Sequence, residues 1–167
     1  MKILPLLVAF FLGALSLYGC QFFLKKADFP DYMLGTWKSD REKTIHYNQN
    51  NVKMHSGNLQ HIQQLFGHME LNITKDRTYS YAPSYGFIEL DGNVIMTKEF
   101  REEKPYEVLY HENGTVVTRT ENDSVGPRIY IQHFNADRNE YWIYLGYNGL
   151  FDLHLREYFT KLFPKKP

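Results

Sequence analysis

From residue 68 onward the chain is a succession of short apolar and β-branched runs, each cut off by a turn signal, with no stretch at helical spacing between them. No other feature constrains the fold as strongly. Residues 69–74 alternate apolar with polar and turn at Lys75-Asp76 into 77–81. Asp91-Gly92 separates 87–90 from 94–97. Residues 106–111 and 115–121 flank Asn113-Gly114, a strong hairpin signal because both residues tolerate positive φ. Residues 129–134 pair across 135–139 with 140–145, and a last strand runs from about 153 to 160. With a first strand over 34–39, the pattern predicts a mainly β fold of eight or nine strands joined by successive hairpins, an antiparallel up-and-down barrel or a sandwich.

One segment breaks the pattern. Residues 41–66 are polar and rich in Asn, Gln and His, with few β-branched side chains. Leu59, Ile62, Leu65 and Phe66 recur at helical spacing, with Asn58 as N-cap and Gly67 as stop, which predicts a short helix over 58–66 and a weaker one before it. A length of 167 residues suits one folded domain. Nineteen basic and nineteen acidic residues, with no Lys/Arg stripe, argue against a nucleic-acid partner, because phosphate neutralisation supplies most of such affinity. Thirteen Tyr and twelve Phe carry more apolar surface than a disordered chain does.

The first residues read as an address rather than as part of the fold. After Met1-Lys2 the chain is apolar from 3 to 17, broken only by Pro5, Gly13 and Ser16, and then reads Leu17-Tyr18-Gly19-Cys20. Cys20 is the single cysteine, so the chain can form neither an intramolecular disulfide nor a cysteine-built zinc site. Leu three positions before Cys and a small residue directly before it resemble the lipobox of bacterial lipoprotein signal peptides, with Tyr18 where that family has a small residue. The resemblance implies cleavage before Cys20, lipidation of its thiol, and a protein body outside the cytoplasm, held to the membrane of the bacterial cell envelope. Gln21 rather than Asp after the Cys favours the outer over the inner membrane under the enterobacterial sorting rule. Two other readings stay open: an uncleaved anchor helix, since the apolar stretch continues through Phe22, Phe23 and Leu24, and an ordinary secretory signal. The expected organisation is a signal peptide over 1–19, lipidated Cys and tether over 20–33, the barrel over 34–162 and a tail over 163–167.

Gly35-Thr36-Trp37 on the first strand is similar to the Gly-X-Trp signature of the calycins, the lipocalins and fatty-acid-binding proteins. Physically, Gly35 lets the strand bend and the Trp37 indole can plug a barrel end. Fatty-acid-binding proteins also place a helix pair between strands one and two, where 41–66 lies. Arg156-Glu157-Tyr158 on the last strand resembles the Arg-X-Tyr with which many of them hold a carboxylate. The resemblance therefore implies a ligand-gripping role for Arg156 and Tyr158, or, on the lipocalin pattern, an Arg156 laid across Trp37.

Residues 141–145 and 129–131 are apolar on both strand faces, whereas a surface sheet should be polar on one. Either the barrel holds a cavity lined by aromatics such as Tyr130, Trp142 and Tyr144, or a filled core is accompanied by an exterior patch. Seven histidines show no metal-ligand spacing, and no nucleophile elbow, P-loop or dinucleotide fingerprint is present, so neither a metal, a cofactor nor an enzyme is expected. The leading expectation is a membrane-anchored, lipocalin-like lipoprotein binding a small hydrophobic ligand, acyl or anionic. The alternatives are a protein-binding envelope lipoprotein with a filled barrel, or an envelope enzyme.

Overall fold

The computed structural model describes residues 28–53, 56–89, 91–121, 126–145 and 154–163. Cys20, the apolar run before it and the tail beyond 163 lie outside the described residues. Among the described residues ten strands occur in chain order: β1 (Gly35–Ser39), β2 (Glu70–Ile73), β3 (Arg77–Ala82), β4 (Gly86–Ile88), β5 (Val94–Met96), β6 (Phe100–Glu112), β7 (Thr115–Thr120), β8 (Arg128–Asn135), β9 (Glu140–Tyr144) and β10 (Arg156–Leu162). Eight form a closed antiparallel barrel in the order β1-β10-β9-β8-β7-β6-β3-β2. The expected mainly β barrel with a helical segment after the first strand is therefore present. The barrel's eight strands fall within the expected eight or nine, and β4 and β5 pair with each other as a hairpin outside it.

Local chemistry explains the hairpins. Asn113 and Gly114 both have positive φ, 48° and 79°, as a two-residue type I′ turn requires. A Cβ on Gly114 would lie 2.3 Å from the Phe134 carbonyl oxygen, so the β6–β7 turn packs against β8 only because that residue has none. Strand β6 begins at Phe100 rather than 106, and after Phe100 its first half, Arg-Glu-Glu-Lys-Pro, carries no β-former. It is a strand because β3 pairs with it from Ala82↔Phe100 to Arg77↔Pro105, after which β7 takes over from Tyr106↔Thr120. Pro105, which has no N–H to donate, sits at the hand-over between partners.

Helices α1 (Arg41–Asn51) and α2 (Ser56–Gln63) lie between β1 and β2. Asn58, expected as an N-cap, falls inside α2, which starts at Ser56. Helix α1 carries little amphipathic signal because the stripe it buries is polar. β1 ends at Ser39, opposite Phe159, while β10 extends back to Arg156 and needs partners for its bared edge. The stripe Asp40-Thr44-Asn48, spaced by four, provides them. Thr44 Oγ1 accepts from the Tyr158 N–H at 2.9 Å, and Asp40 N–H donates to the Tyr158 carbonyl at 2.8 Å. Asn48 Oδ1 accepts from the Arg156 N–H at 3.0 Å, while its Nδ2 donates to the Arg156 carbonyl at 2.8 Å. Thr44 and Asn48 are fully buried, so one face of a helix stands in for a ninth strand.

The opposite end is apolar. Trp37 is 2% exposed, with ring centroids of Phe134 and Tyr141 at 5.5 and 5.0 Å, both edge-on. Its Nε1 donates to the Met33 carbonyl at 2.8 Å, which ties it to a 3₁₀ turn over Asp31–Met33. Met33 is buried, and Phe29 and Tyr32 pack against the same core, so residues before 34 contribute to the packed interior. Gly35 takes φ +123°, a conformation only glycine adopts freely, and its missing side chain leaves room for Lys161. Lys161 is the cross-strand partner of Trp37 and holds its ammonium 5.1 Å from the indole centroid.

Candidate ligand site

Side chains alternate across a strand, so phase decides which residues of β9 and β10 face the interior. Tyr141, Ile143 and Leu145 face inward from β9 and its continuation, as do Glu157 and Phe159 from β10. Of the side chains expected to line a cavity, only Tyr130 does so. Trp142, Tyr144, Arg156 and Tyr158 occupy the other phase and gather outside the barrel.

There they form an aromatic cluster around the guanidinium. Arg156 Cζ lies 3.7 Å from the Trp142 ring centroid, 4.5 Å from that of Tyr47 on α1 and 5.2 Å from that of Tyr144. His133 stacks on Trp142 with centroids 3.9 Å apart, and burial together with the Arg156 charge lowers its pKa. Arg156 thus neither crosses Trp37 nor reaches the barrel interior. The cation over Trp37 is Lys161, whose phase along β10 matches Glu157 and Phe159. Cation–π contact and the α1 anchor account for the position of Arg156 as part of the fold.

Beyond the Trp37 core the interior is not filled. A cavity of about 300 Å³ remains, at the lower end of the ~300–1,000 Å³ usual for small-molecule sites. Met69, Leu71, Ile73, Ile143 and Phe159 supply apolar wall. Besides the Thr78 and Ser80 hydroxyls and the tyrosines, two sets of polar side chains line the cavity. Glu102 and Lys104 of β6 pair with each other at 2.6 Å. Glu157, Gln132, Thr118 and Thr120 form the second set. Glu157 is 9% exposed, and its Oε1 accepts from Ser39 Oγ at 2.5 Å; that hydroxyl oxygen in turn accepts from the Gly67 N–H at 2.9 Å. Burial pushes the Glu157 carboxyl up to about 7, against a smaller downward pull from the Ser39 bond. Burial first, and then the Glu157 charge, raise the neighbouring Tyr141 hydroxyl. Gln132 Nε2 donates to Thr118 Oγ1 at 3.2 Å, but among the described residues Gln132 Oε1 and Thr120 Oγ1 are buried without a partner.

None of Glu157, Gln132 or Thr120 stands out in the sequence. The available signal was the phase Leu155-X-Glu157-X-Phe159, an acid flanked by apolar residues two positions away on each side. Among the described residues no group of three or more His, Cys, Asp or Glu side chains converges as a metal site would require. No described helix is long and apolar enough to cross a membrane.

The geometry defines a class, a closed eight-stranded antiparallel barrel with an interior cavity, compatible with a calycin-like fold. No protein-family model, curated protein or solved structure matches the chain.

Proposed function

We propose that this protein binds a small, mainly apolar molecule inside its barrel while anchored to a bacterial envelope membrane through Cys20. The observation that carries the binding reading is the interior cavity of about 300 Å³, apolar over most of its wall and holding a few buried polar groups. Densely packed interiors rarely leave such a volume, and buried polar atoms without partners are uncommon unless something else meets them. Native mass spectrometry of protein extracted from membranes should reveal a non-covalent small-molecule adduct. Bare protein, together with no response of Trp37 fluorescence to apolar probes, would sink the reading.

The anchoring reading rests on the apolar run and Leu17-Tyr18-Gly19-Cys20 alone. Labelled palmitate should attach at Cys20, and Cys20→Ala should abolish labelling and leave a precursor near the full 19.8 kDa. Two acyl chains hold a protein stably, whereas a single one does not. Normal processing of the Ala variant would assign an ordinary secretory signal instead.

A second reading, contact with a protein partner, draws on the outer hairpin, where Ile88, Val94 and Met96 are more than half exposed. Substituting Val94 and Met96 by Lys should abolish co-purification of such a partner without altering ligand binding.

A further inference from the structure

We infer that the ligand of the barrel carries an amine, its ammonium group held by Glu157 with Gln132 and Thr120, and not the carboxylate that an Arg-X-Tyr strand suggests. This deepens the binding reading above and rests on it. Three observations point the same way. First, the guanidinium that would grip a carboxylate lies outside the barrel, stacked on Trp142. Second, among the described residues the one cation lining the cavity, Lys104, is already committed to Glu102 at 2.6 Å, so these residues offer an anion no free counter-charge. Third, Glu157 is a deeply buried acid whose side-chain hydrogen-bond partner among the described residues is a neutral hydroxyl donor, Ser39.

Beside an ionised Glu157 a carboxylate ligand would set a second negative charge, in surroundings where like charges repel strongly. An ammonium supplies the counter-charge that an ionised Glu157 lacks, and its three N–H donors meet a carboxylate, the Gln132 amide oxygen and the Thr120 hydroxyl, each able to accept. Gln132 Oε1 can accept one of these, and Thr120 Oγ1, on a side chain 8% exposed, another. Glu157, Ile143 and Gln132 are aligned across three neighbouring strands, Glu157↔Ile143↔Gln132. The acid and the amide therefore face one cavity with an apolar side chain between them. Met69, Leu71 and Phe159 complete a pocket for an apolar body joined to a single cationic head.

The test uses probes matched in length: octylamine, octanol and octanoate. Trp142→Phe leaves Trp37 as the only indole, so fluorescence reports the barrel interior, with calorimetry as a second readout. Octylamine should bind at least about tenfold more tightly than octanoate, the margin of one charge-assisted hydrogen bond. Glu157→Gln, which keeps shape and hydrogen-bonding capacity, should reduce octylamine affinity about tenfold and leave octanol unchanged. Thr120→Val, a change of one hydroxyl, should weaken octylamine by a smaller factor and serves if the first variant misfolds. Octanoate binding as tightly as octylamine, or octylamine indifferent to both substitutions, overturns the head-group assignment while the binding reading stands. Failure of all three probes to bind overturns both.

Discussion

The two ends of the barrel are sealed by opposite chemistry. At one end Trp37, Phe134, Tyr141 and Phe159 interlock with Met33, and the seal is dispersion and burial. At the other, Asp40 at the start of α1 and Thr44 and Asn48 within it hydrogen-bond the bared edge of β10, and the interior turns polar at Glu157. The change occurs within single strands: β10 passes from Phe159 to Glu157 in one inward step, and β7 from Val116 to Thr118. Stability and candidate binding are thus separated along the same strands. The closed end can be packed tightly because nothing needs to enter there, whereas the cavity and its unpartnered acceptors lie beyond it.

The largest effect should come from breaking the apolar end. Trp37→Ala should cost about 3–5 kcal/mol, as truncation of a buried aromatic does, against a typical total near 5–15 kcal/mol. Denaturant melts should find the variant unfolded or close to it, and Trp37→Phe folded at lower stability. A Trp37→Ala protein within about 1 kcal/mol of wild type would mean that the edge-on aromatic packing contributes little.

The polar end should respond to pH instead. Glu157 is ordinarily near 4.5 and stands at about 7 in the fold, so the folded state holds its proton more tightly than the unfolded chain does. Below about pH 4.5 both states are protonated and the group contributes no difference. As pH rises toward 7 the unfolded chain ionises first, so stability falls with rising pH across this window and levels off above it. The full loss is about 3 kcal/mol. The groups near the carboxyl are Ser39 from β1, Tyr141 from β9 and Tyr85 from the segment before β4, with the mutually paired Glu102 and Lys104 across the cavity on β6. Glu157→Gln should flatten the slope and be the more stable protein at about pH 8. An unchanged slope would move the titration to another group.

These contrasts also explain what the sequence disclosed. Turn chemistry at Asn113-Gly114 and the recurrent short runs announced the hairpins, because glycine and asparagine act locally. Trp37 and Gly35 were legible for the same reason. The polar seal was not, because Thr44 and Asn48 look like surface residues of a weak helix until β10 is found to outrun β1. The phase of β10 was hidden as well: in Leu155-Arg-Glu-Tyr-Phe159 both faces carry large side chains, and only pairing with β1 and β9 reveals that Glu157 points inward. A short motif drew attention to Arg156 and Tyr158, when the residue between them was the interior one.

A smaller effect tests the helical seal. Asn48→Ala strips partners from both the N–H and the carbonyl of Arg156 and should cost about 1–3 kcal/mol. Hydrogen exchange should quicken at β10 residues 156–158 while the Trp37 end keeps its protection. Equal loss of protection at both ends would show that the two seals unfold as one unit.

The smallest expected effect concerns Arg156 itself. Arg156→Lys keeps the charge but loses the planar group that lies 3.7 Å from Trp142 and contacts Tyr47. An exposed or half-buried cation–π contact contributes about 0.5–1 kcal/mol, so the melting temperature should drop slightly, by less than for any substitution above. Because the side chain lies outside the barrel, octylamine and octanol binding should be unaffected. His133 supplies a local check: with a cation still nearby but less tightly stacked, its depressed pKa should drift back toward its ordinary value, readable by NMR. If Arg156→Lys instead weakened ligand binding and spared the melting temperature, the guanidinium would belong to a ligand site on the outer face, and the interior cavity would lose its claim to be the binding site.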